Sequence, residues 1–198
     1  ELITKAKTNP IEPIKLERQF KLIFVSFETF NSEDYKDIAV HERIDYWFDK
    51  EHKAKIAFLY DKILATRNRT IKIFMLVSLS HILKNCSKWL QSSTKPQIDP
   101  NKTPADPFLI FQSHTKQMMK KNTEFHKQLS ENKYLKTKCE IRLEDARKTT
   151  IRAKSVGAII TSPPYVTSYE YADIHQLTGY WYEYITDLSG FRKKFIGT

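Results

Sequence analysis

Ser162-Pro163-Pro164-Tyr165 is the tetrapeptide in this chain whose residue types and order could do chemistry. Two consecutive prolines hold an extended backbone and carry no N–H. The carbonyls around them are therefore free to act as fixed acceptors, and the Ser162 hydroxyl adds another. Fixed acceptors are the means by which a site stabilises developing positive charge. Tyr165 adds a ring face for stacking. The tetrapeptide directly follows Val156–Thr161, a short apolar run of the kind buried in parallel sheets. A loop leaving the C-terminal end of such a strand is where open α/β sheets place ligands. Taken alone, the same four residues make a surface turn.

Other chemistries find less support. The four glycines, Gly157, Gly179, Gly190 and Gly197, form no phosphate-cradling pattern. His41, His52, His81, His114, His126 and His175 lack metal-ligand spacing and read as surface or structural residues. Two distant cysteines, Cys86 and Cys139, exclude a disulfide scaffold and fit a reducing cytoplasm. No apolar run is long enough to span a bilayer. The 33 Lys and Arg against 23 Asp and Glu leave a net charge of +10, which favours a polyanionic partner.

The elements that must position the tetrapeptide are mostly helical. Leu2 to Lys7 reads as the last turn of a helix, and Pro10 and Pro13 break the chain after it. Leu16, Phe20, Ile23, Phe24 and Phe27 recur at helical spacing, as do Ile56, Leu59, Tyr60, Ile63 and Leu64. Thr70 is expected to cap a helix from Ile71 to about Leu90, apolar almost all round and hence central. Four prolines make 92–107 a loop, and Asp106-Pro107 reads as the cap and first residue of the next helix. That helix carries a narrow stripe: Phe108, Phe111, Thr115, Met118, Asn122, Phe125 and Leu129. Its other faces hold Lys116, Lys120, Lys121 and Lys127. Beyond Asn132 the pattern changes to two short strands, Cys139–Leu143 and Val156–Thr161, and then a helix from about Ser168 to Thr186.

Through Ser162-Pro163-Pro164-Tyr165 and its flanks, the chain resembles the amino-group DNA methyltransferases, whose catalytic motif is [DNS]-P-P-Y. The serine form is characteristic of the cytosine-N4 branch; the aspartate form is commoner among adenine-N6 enzymes. Cys139–Arg147 resembles the preceding strand, which in that family ends in a turn beside the cofactor's adenine. Tyr169–Leu177 is similar to the helix after the catalytic loop. Ala6–Pro10 resembles the end of the helix that follows the cofactor-binding strands, and Asp45–Phe48 a feature of the helical insert in one bacterial subgroup. The family's F-x-G-x-G cofactor motif is absent, and its place is expected upstream of an internal fragment.

The resemblance implies a mostly helical domain attached to a partial Rossmann-like sheet, an α+β or α/β architecture. Residues 1–12 would end an upstream cofactor-binding region. Residues 13–132 would be a helical insert in the place of a target-recognition region, and 133–198 a partial catalytic region. The implied activity is transfer of a methyl group from S-adenosyl-L-methionine to cytosine N4 in duplex DNA. The base would be flipped out, and Ser162, Pro163, Pro164 and Tyr165 would form the catalytic loop. Adenine-N6 methylation is the alternative on the same geometry, and a non-catalytic DNA-binding or assembly module is an alternative of another class. Asp145 and Ala146 would contact the cofactor, although Asp145 also suits a simple turn. Tyr169 and Tyr171 would line the base pocket or pack in a core. Trp47 and Phe48 could wedge DNA or plug a core. Lys116, Lys120 and Lys127 would track the DNA backbone or form a solvated face. A cognate restriction endonuclease is an implied partner, and the 198 residues by themselves are expected to be inactive.

Overall fold

The computed structural model of the chain describes residues 1–38, 40–145, 147–161 and 171–193. It is 56% helical. The helices are α1 (Leu2–Thr8), α2 (Pro13–Val25), α3 (Arg43–Trp47), α4 (Lys50–Leu64), α5 (Arg69–Ile82), α6 (Pro107–Glu131), α7 (Tyr171–Ile174), α8 (Gln176–Trp181) and α9 (Leu188–Arg192).

The α5 helix is the hub. Ile71, Phe74, Met75, Leu76, Ser78, Leu79 and Ile82 are all buried, so the helix has almost no solvent face. α1, α4 and α6 pack around it. Its cap is Asn68, whose side-chain oxygen accepts from the Ile71 amide at 3.0 Å, and not the expected Thr70. The helix also stops at Ile82, short of Leu90. Past it the chain turns until Trp89 pairs with Ile98 in an isolated antiparallel bridge.

The long helix begins as its sequence dictates. Asp106 accepts from the Phe108 and Leu109 amides at 2.9 and 3.0 Å, with Pro107 at the first position. Asp106 also pairs with Lys55 of α4 at 2.6 Å. Two polar residues of the apolar stripe are clasps. Thr115 shares a hydrogen bond of 2.6 Å with Ser78, both wholly buried. Asn122 holds the chain between α1 and α2 from both sides. Its amide donates to the Ile11 carbonyl at 2.7 Å, and its oxygen accepts from the Ile11 amide at 2.9 Å.

Aromatic side chains fill the periphery of the core. Phe27 stacks on Phe108 at 4.3 Å, and Phe30 meets Phe58 and Phe108 edge-on. Trp47 and Phe48 are core residues and not wedges for DNA: each is 3% exposed. Trp47 stacks on Trp89, and Phe48 lies edge-on to Trp181. The C-terminal aromatics join the same core. Leu177, Tyr180, Trp181, Tyr182 and Ile185 are buried in it, and the Tyr182 hydroxyl donates to the Leu76 carbonyl of α5 at 2.6 Å. The tight turn after α8 returns the Tyr184 amide to the Gly179 carbonyl at 2.8 Å and brings Ile185 over Gly179, where a Cβ would overlap it.

The expected Rossmann-like sheet is overturned. Among the described residues there is no sheet, only the Trp89–Ile98 bridge. Cys139–Leu143 and Val156–Thr161 form no strands. From Lys133 to Thr161 every described residue is exposed except the half-buried Ile141. Ile159 is 83% and Ile160 99% exposed, where a parallel strand would bury both. The reason is pairing. A strand is stable only beside other strands, with its apolar face covered, and no partner strand lies against this segment among the described residues.

The Asn122 clasp gives a first prediction. Asn122→Ala leaves the Ile11 amide and carbonyl without partners in a buried position, which costs about 2–4 kcal/mol for the two groups. Urea unfolding followed by circular dichroism should show that loss; a change below 0.5 kcal/mol would mean that water replaces the side chain.

Candidate functional site

Six of the expected site residues, Ser162, Pro163, Pro164, Tyr165, Tyr169 and Ala146, lie outside the described residues. Asp145 is described and exposed. Arg147 grips its carboxylate with Nη2 at 2.7 Å from Oδ2 and Nε at 3.0 Å from Oδ1. The Arg147 amide donates to Oδ1 at 2.9 Å. The side-chain pairing, with the backbone bond, holds the Asp145 carboxyl down at about 2. Here Asp145 is a turn residue, closing the backbone two residues on. Its acceptors are taken, and it stands on an exposed segment. Asp145 alone therefore builds no wall around a cofactor. Tyr171, the first residue of α7, is 45% exposed and is not a core residue. Neither Asp145 nor Tyr171 lines the groove described next.

Lys116, Lys120 and Lys127 are all exposed on α6. At about 100° per residue they fall within a sector of about 40°, along about 16 Å of helix. Lys127 lies 3.7 Å from Glu131; Lys116 and Lys120 have no ion pair among the described residues. The three therefore make a cationic row, a geometry that suits a phosphate backbone and a solvated face equally.

Beside that row runs a groove of about 950 Å³ between α1, α5, α6 and the α7–α8 turn. Phe74 and Asn122 are its buried floor, and Val77, Met118 and Phe125 its apolar flanks. Lys7, Lys84, Lys120 and Lys121 stand around it, and no described lining residue is a carboxylic acid. Across it the rings of His81 and His114 stack in parallel, 3.9 Å apart. Burial, helped by the neighbouring His81, pushes His114 down to about 4. So His114 is neutral at pH 7 and offers one donor and one acceptor. The sequence carried a faint signal of this pair. His81 lies one turn after Ser78, and His114 immediately before Thr115, so the clasp that joins these helices also brings the two rings together. Among the described residues no group of three or more His, Cys, Asp or Glu side chains is arranged to hold a metal ion. No described helix is long and apolar enough to cross a membrane.

Two expected outcomes follow from this geometry. The unfolded chain protonates a histidine near pH 6.5, whereas folded His114 accepts a proton only near 4. Between these values the unfolded state binds more protons, so stability falls as the pH drops from about 6.5 to 4. The loss should be about 1–3 kcal/mol, allowing for the partial exposure of the ring. His114→Gln should flatten that part of the profile in urea titrations; an unchanged profile would mean the folded ring titrates normally. For the cationic row, replacing Lys116, Lys120 and Lys127 together by Gln should weaken duplex binding. If all three neutralise phosphates, the slope of log K against log salt should shrink by about 2.7. An unaltered slope would mark the row as solvated.

No protein-family model, curated protein or solved structure matches this chain, so its function is argued from its own residues.

Proposed function

We propose that the chain is part of a site-specific DNA methyltransferase acting on an exocyclic amine, with cytosine N4 as the target and S-adenosyl-L-methionine as the methyl donor. The observation that carries the reading is the Val156–Tyr165 segment: an apolar run, then Ser162-Pro163-Pro164-Tyr165. The positive charge and the lysine row on α6 are compatible with a DNA partner, and a cognate endonuclease remains part of the proposal.

The chemistry follows from the residue types. A cytosine N4 amine is a poor nucleophile because its lone pair is delocalised into the ring. Acceptors on both amine hydrogens draw the nitrogen toward tetrahedral geometry and free the lone pair. The Ser162 hydroxyl and the Pro163 carbonyl are the candidates, and neither proline offers an N–H to compete. Tyr165 would stack on the flipped base, a contact of about 1–3 kcal/mol. The arrangement of Asp145 supplies no cofactor contact, so donor binding is not assigned to it.

The test is chemical. DNA from cells carrying the gene that encodes these residues should contain N4-methylcytosine by mass analysis of its nucleosides. Tyr165→Ala should lower its level at least tenfold while leaving duplex affinity, dominated by phosphates, within about threefold. N6-methyladenine in its place would move the assignment to the other base. Absence of both, in cells where the protein is present, would overturn methylation in favour of a DNA-binding module.

A further inference from the structure

The groove between α1, α5, α6 and the α7–α8 turn takes no residue of the Ser162–Tyr165 tetrapeptide, although its Lys120 also belongs to the lysine row, and it has the features of a ligand site. Its volume of about 950 Å³ lies within the range of small-molecule pockets, which are mostly apolar with a few convergent polar groups. The floor and flanks supply apolar contact through Phe74, Val77, Met118 and Phe125. The polar groups are all cationic or neutral. Two of the four lysines are engaged within the protein. Lys84 donates to the Gln91 and Ser93 carbonyls at 2.9 and 2.8 Å, and Lys121 pairs with Glu124 at 2.9 Å. Lys7 and Lys120 have no ion pair among the described residues, and no carboxylate in the described lining balances them. Such a surface selects by charge.

We propose that this groove binds an amphiphilic organic anion, an anionic head group on an apolar body. The head is held by Lys7 and Lys120, and the body covers Phe74, Val77, Met118 and Phe125. Charge complementarity decides the class. A neutral amphiphile leaves the two lysines uncompensated, and a cationic one is repelled by all four. A duplex nucleic acid presents phosphates and no flexible apolar body, so it offers nothing to match Phe74, Val77, Met118 and Phe125. The proposal uses none of Ser162, Pro163, Pro164 or Tyr165; it shares only Lys120 with the lysine row, and Lys7, which lies outside that row, distinguishes the two.

The experiment uses the 198-residue chain and three probes of equal length: decanoate, 1-decanol and decyltrimethylammonium, each titrated below its aggregation threshold. Two-dimensional NMR should show saturable shifts with decanoate at the groove residues, at least tenfold tighter than with the alcohol and absent with the cation. The double variant Lys7→Gln/Lys120→Gln should weaken decanoate binding about tenfold or more and leave decanol unchanged. Both residues are exposed, so the fold should persist, which circular dichroism verifies. Val77→Trp should block both ligands by filling the groove; if that variant unfolds, the lysine pair still decides the matter. Equal binding of the three probes, no saturable decanoate shifts, or insensitivity to the double variant would overturn the proposal. So would displacement of decanoate by an acidic amphipathic peptide at lower concentration, which would make the groove a docking face for a polypeptide.

Discussion

An apolar helix with little surface left for water constrains much of the rest of this protein. α5 buries seven of its fourteen residues, spread over somewhat more than half of its circumference. Burying a large apolar side chain is worth about 1.5–3 kcal/mol over leaving it exposed. The chain therefore has to cover α5 on most of its sides. α4 and α6 supply two sides because they are its neighbours in sequence. The remaining cover comes from far away along the chain: α1 at one end, Tyr182 and its neighbours at the other. Both ends thus belong to one core, although more than 100 residues separate Leu76 from Tyr182.

Apolar cover alone would leave the helices free to slide and rotate. A few buried polar bonds remove that freedom. Ser78 and Thr115 set the register of α5 against α6, since a slip of one turn would leave two hydroxyls unpartnered in the core. Asn122 fixes the extended segment at Ile11, and hence the entry angle of α2. Asp106 caps α6 and ties its start to Lys55. Lys102 does the same for the proline-rich loop, donating to the Lys84 and Trp89 carbonyls at 2.7 Å each. The stacked histidines of the groove are a by-product of that register.

Legibility in the sequence followed the length scale of the interaction. The positions of α1, α2, α4 and α6, the break at Pro10 and Pro13, and the cap at Asp106 were readable because they depend on residues within a turn or two; the end of α5 at Ile82 and the break between α7 and α8 were not. The place of Thr115 and Asn122 on an apolar stripe was also visible, and a polar residue there implies a buried partner. Which partner it finds depends on packing, so the clasps to Ser78 and Ile11 were not readable. The error over the cap of α5 was local: Thr70 and Asn68 both suit a cap, and Asn68 won. The larger error was the sheet. Val156–Thr161 has the composition of a buried strand, but composition states only what a segment would suit. Its state depends on neighbours that composition does not describe.

That difference bears on the role proposed for Ser162-Pro163-Pro164-Tyr165. The acceptors of Ser162 and Pro163 are useful only where they are held rigid and dry, because water would satisfy the same amine hydrogens and cancel their effect. In this chain the rigid, dry environment is the helical core, whereas the described residues leading to the tetrapeptide, 147–161, are exposed. The helices that follow it, α7 and α8, are a different case: Ala172, Leu177, Tyr180 and Trp181 anchor them in the core. The described residues on either side of the tetrapeptide therefore differ: 147–161 before it are exposed, whereas Leu177, Tyr180 and Trp181 after it are packed into the core around α5.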